Sequence, residues 1–304
     1  MREFNQLEAE AISILREAYA RFKNPVILFS GGKDSMVLTH LAQKAFSPFQ
    51  IPFKLMLIDT GHNFSETLSF IDDRVRELQT TLVTGSVEAA ISQGIVQDVE
   101  SASADNSQKI FSGRNRLQSK VLMMCISDNK FDAVVGGGRR DEEKSRAKER
   151  IFSVRDENGM WSAENQRPEL WQYLNPYLQS RQHMRIFPLS NWTELDIWSY
   201  IQTENIKVPS IYFSHERKCV YFKNQILAHS QNMQIPESAV VKTAFVRCRT
   251  VGDMFSTGLI ESTAANIKDV ILEIKKSKVS ERGLRLDDQF SDTAMEERKK
   301  EGYF

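Results

Sequence analysis

One junction limits how this chain can fold more than any other. The stretch PVILFSGGKDSMVLTHLAQKAF, residues 25–46, is an apolar run that breaks into Ser30-Gly31-Gly32-Lys33-Asp34-Ser35 and resumes with helical periodicity. Residues 26–29 (VILF) are uninterrupted apolar side chains, the pattern of a short strand buried on both faces. From Lys33 onward, Met36, Val37, Leu38, Leu41, Ala42 and Ala45 gather on one side of a helix. A doubly buried strand feeding directly into a helix is the first half of a βαβ unit, and such units build parallel sheets with helices on each side.

The alternation recurs along the chain. Phe4, Leu7, Ala11, Ile14, Leu15, Ala18 and Phe22 form the stripe of an amphipathic helix that Asn24-Pro25 ends. Residues 53–58 (FKLMLI) predict a strand leaving through Asp59-Thr60-Gly61. Residues 66–79 predict a helix resting on Leu68, Ile71, Val75 and Leu78, and residues 80–83 another strand. Residues 94–108 are small and polar, which predicts a mobile loop. Residues 109–129 are strongly helical in pattern, and 133–135 predict a strand running into Gly136-Gly137-Gly138. Residues 184–188 predict a short strand, after which Asn191-Trp192-Thr193-Glu194 opens a helix bearing Leu195, Trp198 and Ile201.

The expected fold is therefore α/β: a parallel twisted sheet with helices on both faces, spanning residues 1–213. Beyond residue 213 the pattern weakens. One strand is expected at 246–250, and residues 214–304 are expected to be an irregular C-terminal extension ending in a charged surface helix or extended arm. In parallel sheets, ligands bind outside the carboxyl ends of the strands. SGGKDS, DTG and GGGRRD should then converge on one rim.

Composition narrows the function classes. The 304 residues carry 40 basic and 40 acidic side chains, so nothing in the overall charge points to nucleic acid or a membrane surface. An anion site must come from local clustering. Cys125, Cys219 and Cys248 are odd in number and widely spaced, which argues for a reducing compartment and against a disulfide framework or zinc site. The N-terminal stretch lacks a signal-peptide apolar block, and no segment reaches the ~18 apolar residues that span a bilayer. The expectation is a cytoplasmic protein.

SGGKDS has the chemistry of an anion cradle. Glycines let backbone N–H groups turn inward, the following helix adds its positive N-terminal dipole, and Ser30, Lys33 and Ser35 supply donors and a charge. Two familiar phosphate loops do not fit. G-x-x-x-x-G-K-[ST] fails because Asp34 follows Lys33 and Ile stands at position 27. G-x-G-x-x-G fails because Gly31 and Gly32 are adjacent and no third glycine follows. The blander reading, a tight turn that merely needs glycine, does not account for the lysine, aspartate and two serines beside it.

The loop resembles the pyrophosphate-binding loop of the N-type ATP pyrophosphatase, or PP-loop, superfamily. The resemblance implies an adenine nucleotide α-hydrolase-like fold and cleavage of ATP between its α and β phosphates. It assigns Ser30, Gly31, Gly32, Lys33, Asp34 and Ser35 to ATP and pyrophosphate, with Lys33 catalytic. Asp59, Thr60 and Gly61 become candidates for the adenosine pocket, with ordinary turn chemistry as the alternative. Mg²⁺ is expected on the ATP, near Asp34 or Asp59, with no tightly bound cofactor. His62 is given at most a positioning role.

GGGRRDEEKSRAKERIFSVR (136–155), NQRPELW (165–171), RIFPLSNWTELDIWSYI (185–201), VRCRTVGD (246–253) and the terminal KKEGYF are similar to the small subunits of bacterial sulfate adenylyltransferases. In that family the nucleophile is sulfate. On composition alone, the 139–150 run also fits a solvated helix face with Glu142 and Arg146 as an i,i+4 pair. Its place at a glycine-rich strand end favours an oxyanion role, because guanidinium groups hold a tetrahedral dianion through paired hydrogen bonds. Arg139 and Arg140 are the first candidates for sulfate binding and catalysis; Lys144 and Arg146 are second. The four tryptophans are expected to pack.

An adenylylsulfate reductase would need a nucleophilic cysteine in an E-C-G-x-H type segment, and Cys219 and Cys248 sit in ERKCVY and VRCRT instead. A tRNA thiolase would need a cysteine set and a basic RNA-binding surface. A nucleotide-binding protein without catalysis remains open. The resemblance further implies a separate GTPase large subunit, as a heterodimer or a larger assembly, with no nucleic-acid or membrane partner. Residues 214–304 are its candidate docking region, with Tyr303 and Phe304 as anchors.

Overall fold

A computed structural model describes residues 2–97, 114–142, 146, 147, 149–166, 168, 169, 177–222, 225–231, 233, 235–277 and 281. The first helix, α1 (Arg2–Arg21), leads into β1 (Pro25–Leu28) and α2 (Lys33–Phe46). Next come β2 (Lys54–Asp59), α3 (Ser65–Leu78), β3 (Leu82–Ser86), a short α4 (Val87–Ser92) and α5 (Asn115–Asp128). The chain continues through β4 (Ala133–Val135), β5 (Phe152–Arg155), β6 (His183–Ile186) and α6 (Glu194–Thr203). It ends with β7 (His215–Phe222), β8 (Gln225–Ala228), β9 (Val240–Cys248), β10 (Leu259–Glu261) and α7 (Ile267–Lys276).

The main sheet has the order β3-β2-β1-β4-β6-β5 and is parallel except for β5, which runs antiparallel on the edge. The continuous apolar strands follow from burial on both faces. Ile27, Leu55, Leu57, Ala133 and Val135 face the core shared with α1, α2, α3 and α6. Val26, Met56 and Val134 face α5 through Leu122 and Ile126. The chain steps outward from β1 to β2 and β3 on one side, while β4 lies on β1's other side. The crevice between the ends of β1 and β4 is therefore a topological switch point, where open α/β sheets bind ligands. Thr193 opens α6 with a capping box, its hydroxyl accepting from Asp196 N–H and the Asp196 carboxylate accepting from Thr193 N–H.

Beyond residue 213 the structure corrects the expectation of an irregular extension with one strand. A second, antiparallel sheet forms in the order β10-β9-β7-β8. Cys219, Ala228, Val246, Cys248 and Leu259 pack with Phe64 and Ile211. β5 was likewise not expected, because it lies within the charge-rich 136–155 segment. The expected helix at 109–129 begins at Asn115 among the described residues. Residues 98–108 of the expected mobile loop, and the tail with Tyr303 and Phe304, lie outside them. Trp192 and Trp198 pack as expected, edge-on to Tyr200 and Tyr212. Among the described residues, no helix is long and apolar enough to cross a membrane.

Candidate active site

The SGGKDS loop sits at the carboxyl end of β1. Gly31 has φ +70°, a left-handed conformation that only glycine adopts without strain, and it turns the chain into the helix. Gly32 is the N-cap of α2 and its N–H reaches Ser30 Oγ at 3.3 Å, while the Ser35 hydroxyl donates to Gly32 O at 2.9 Å. Lys33 N–H donates to the Tyr212 hydroxyl at 2.9 Å. The exit of β4 presses against the same turn. A Cβ on Gly137 would lie 3.0 Å from Asp34 Cβ and 3.2 Å from its carbonyl carbon, so glycine lets the two strand ends meet.

Charge is concentrated at this meeting point. Lys33 Nζ is 3.0 Å from Asp34 and 2.6 Å from Glu281. Arg139 Nε is 2.7 Å from Asp34 Oδ1 and 3.7 Å from Glu142, and another guanidinium nitrogen of Arg139 pairs with Glu281. Arg146 reaches Glu142 at 3.3 Å, the i,i+4 pair the sequence allowed. Burial alone would pull the Lys33 ammonium down, but Asp34 and Glu281 outweigh it and hold the group firmly protonated. Burial opposes ionisation of Asp34 too, and there Lys33 and Arg139 prevail, bringing its carboxyl down to about 2. Glu281 differs: burial outweighs Lys33 and Arg139, so its carboxyl is raised.

A cavity of about 280 Å³ opens beside the cluster. Met56, Ile58 and Leu122 form an apolar wall; Lys33, Arg146 and Glu281 line the charged end. Thr250, Val251 and Gly252, from the β9–β10 connection, also line it, so both sheets contribute. A slot with an apolar wall and a charged end that holds Lys33 and Arg146 beside Asp34, Glu142 and Glu281 suits a ligand with a flat apolar body and a polyanionic tail.

Only some of the expected site residues meet at the cavity. Ser30, Gly32, Lys33, Asp34, Ser35 and Arg146 line the cavity. Gly31 lies behind it against Thr67 and Ile71, and Arg139 is buried within the ion cluster. Arg140 points elsewhere: it donates to Glu149 O at 3.0 Å and to Asn191 Oδ1 at 2.6 Å. Lys144 lies outside the described residues. Asp59 Oδ1 accepts from Gly61 N–H and Asn63 Nδ2, both at 2.8 Å, so this carboxylate organises its turn. Thr60 Oγ1 accepts from His62 N–H at 3.1 Å, and Asn63 lines the cavity. The His62 ring stands edge-on to Phe255, with Nδ1 3.6 Å from Asp253.

Comparison with known proteins shows the family. A family model, the phosphoadenosine phosphosulfate reductase domain, matches residues 24–259. "Sulfate adenylyltransferase subunit 2" of Mycolicibacterium gilvum is 50% identical over 300 residues, covering 98% of this chain and 93% of the relative. The Mycobacterium tuberculosis protein of that name is 48% identical over the same shares. The chain belongs to the sulfate adenylyltransferase subunit 2 family. Among solved structures, a phosphoadenylyl-sulfate reductase from Candida auris is similar at TM-score 0.44 and 15% identity, over 69% of this chain and 90% of that one.

Three features of this member of the sulfate adenylyltransferase subunit 2 family escaped sequence reasoning. Tyr212, Glu142 and Glu281 reach the charged end of the cavity from distant positions or from within a charge run. Only the run 139–150 carried a signal, and there Glu142 was read as the i,i+4 partner of Arg146 on a solvated face, not as part of the site. The cysteines stand apart: none lines the cavity, and all three are free. Burial pushes the Cys219 thiol up to about 11 and the Cys248 thiol up to about 12.

Proposed function

We propose that this chain is the adenylylating subunit of a sulfate adenylyltransferase, converting ATP and sulfate to adenosine 5′-phosphosulfate and pyrophosphate. The observation that carries the reading is Lys33: a buried, firmly protonated ammonium at the N-terminus of α2, at the charged end of a slot with an apolar wall. The apolar wall takes the adenosine. The β and γ phosphates lie on Lys33 and the turn amides. A sulfate oxygen attacks the α-phosphorus in line, the bond from that phosphorus to the bridging oxygen breaks, and pyrophosphate leaves with the electron pair. Sulfate needs no proton removed, so side chains act by positioning and charge stabilisation. Arg146, which lines the cavity, is the cation we assign to sulfate; Arg139, buried with Asp34 and Glu281, adds its charge to the pyrophosphate cradle beside Lys33, and Arg140 braces the loop behind them.

Asp34 and Glu142 offer hard oxygen donors that fit Mg²⁺, which is bound by one or two carboxylates plus substrate phosphates. The ion, when bound, neutralises charge on the triphosphate. A reductase reading is disfavoured because a thiolate must be the nucleophile, and burial keeps Cys219 and Cys248 protonated. We further assign the main catalytic framework to residues 1–213 and docking of a GTPase large subunit, whose GTP hydrolysis would drive the unfavourable synthesis, to 214–304, a region that also lends Thr250, Val251, Gly252 and Glu281 to the cavity. Three free thiols and an ATP substrate suit the cytoplasm.

Sulfate-dependent exchange of labelled pyrophosphate into ATP tests the reading. Lys33→Ala is expected to lower the exchange rate at least about a hundredfold with the circular dichroism spectrum retained. Wild-type exchange that ignores sulfate, or a fully active Lys33→Ala, would refute it.

A further inference from the structure

Glu281 holds an unusual position. It lies 248 residues along the chain from Lys33 and 142 from Arg139, yet its carboxylate is buried between them. One oxygen pairs with the Arg139 guanidinium, and the other is 2.6 Å from Lys33 Nζ. A carboxylate that spans two cations with one oxygen on each is a small copy of the way a phosphate oxyanion would be held there. Glu281 also lines the cavity, so it stands where ligand would enter the charged end.

The local charge balance has the same consequence. Lys33, Arg139 and Arg146 face Asp34, Asp141, Glu142 and Glu281 within one linked cluster. With Glu281 seated, the carboxylates outnumber the cations, leaving no surplus positive charge for a polyphosphate. With Glu281 withdrawn, one negative charge leaves the cluster and the two inner cations each lose a partner. Asp34 and Glu142 do not play this part. Asp34 belongs to the first turn of α2, and Glu142 to a 3-10 turn at the exit of β4, so both are fixed to the cradle itself. Glu281 is brought in from beyond the last described helix.

We propose that Glu281 is an internal competitor for the pyrophosphate cradle: its carboxylate and the polyphosphate of the substrate occupy Lys33 and Arg139 in turn, never together. The proposal rests on the assignment of that cradle made under Proposed function. Its consequence is that affinity for polyphosphate equals the intrinsic affinity multiplied by the fraction of time Glu281 is out, and any contact that draws residue 281 away restores it.

The test is titration calorimetry of inorganic pyrophosphate into the full chain, with chelator present so that no metal bridges the ligand. Wild type, Glu281→Gln, Glu281→Ala, Glu281→Asp and Lys33→Ala are compared, with melting temperatures as the check on folding. If Glu281 is seated nine-tenths of the time, Glu281→Gln and Glu281→Ala bind pyrophosphate about tenfold more tightly than wild type. Glu281→Asp, which keeps the charge, gains less. Unchanged or weaker binding in both neutral variants overturns the proposal, as it would if Glu281 supported the ligand instead of displacing it. The two layers separate cleanly. Lys33→Ala weakening binding while Glu281→Gln leaves it unchanged refutes the competitor and keeps the cradle. Pyrophosphate binding equally to wild type and Lys33→Ala refutes the cradle and the competitor together.

Discussion

At the scale of single residues, the Lys33 amide shows how a distant side chain completes a loop. Its N–H donates to the Tyr212 hydroxyl, whose ring packs edge-on against Trp198 at 5.3 Å. Because that oxygen accepts from Lys33, its own hydrogen is left to donate, and Tyr212 lines the cavity. A hydrogen bond to a charged ligand is worth about 2 kcal/mol. Tyr212→Phe keeps the ring against Trp198 and removes only the hydroxyl. Steady-state kinetics should show kcat/KM for ATP falling about tenfold or more while the KM for sulfate holds; equal losses for both substrates would contradict this role. Lys33 itself was legible in the sequence, because glycines, a lysine and serines at a strand–helix junction state their chemistry locally. Tyr212 and Glu281 were not legible. They meet Lys33 only through the fold, and neither stands in a pattern of its own.

At the scale of elements, the β5–β6 edge carries a buried polar face. Register pairs Ser153 with Arg185 and Arg155 with His183, while Phe152, Val154, Met184 and Ile186 face the core. His183 is buried there. Burial, then the charges of Arg185 and Arg155, push its imidazole down to about 2, so it is neutral in the folded protein. The unfolded chain protonates this histidine near its ordinary value of about 6.5. Below that pH the unfolded state binds the extra proton, so stability must fall on acidification, down towards the folded value. Urea unfolding at about pH 7 and about pH 5 should show wild type losing about 2 kcal/mol more than His183→Gln. Parallel losses would contradict a neutral buried histidine. The same face explains why β5 was hidden: its arginine and serine break the apolar run that marks β1, β2 and β4. The second sheet was hidden for a related reason. β7 carries Glu216 and Lys218, and the first half of β9 is exposed, including Val240, so neither strand shows the burial that made the parallel strands readable.

At the scale of the whole molecule, the cavity depends on a joint between the two sheets. Arg249 follows the end of β9 and forms a two-pronged pair with Glu194 at the start of α6, at 3.1 and 2.7 Å. A third guanidinium nitrogen donates to Ser277 Oγ at 3.2 Å, just past α7. Thr250, Val251 and Gly252, which follow directly, line the cavity. Arg249 thus ties the second sheet, the main-sheet helix layer and the chain leading to Glu281 at one buried point. Removing one partner of a buried ion pair leaves an uncompensated charge, whereas removing both exchanges the pair for a neutral contact. Arg249→Met should therefore cost about 3 kcal/mol in urea unfolding, and Arg249→Met with Glu194→Gln should recover most of it. If the double variant is as unstable as the single one, the lost stability comes from packing and not from the stranded Glu194 carboxylate. The single variant should also raise the KM for ATP, because a loosened Arg249 frees the wall that the second sheet contributes. That coupling is what separates a structural joint of the active site from a remote surface pair, whose loss would lower stability and leave the KM untouched.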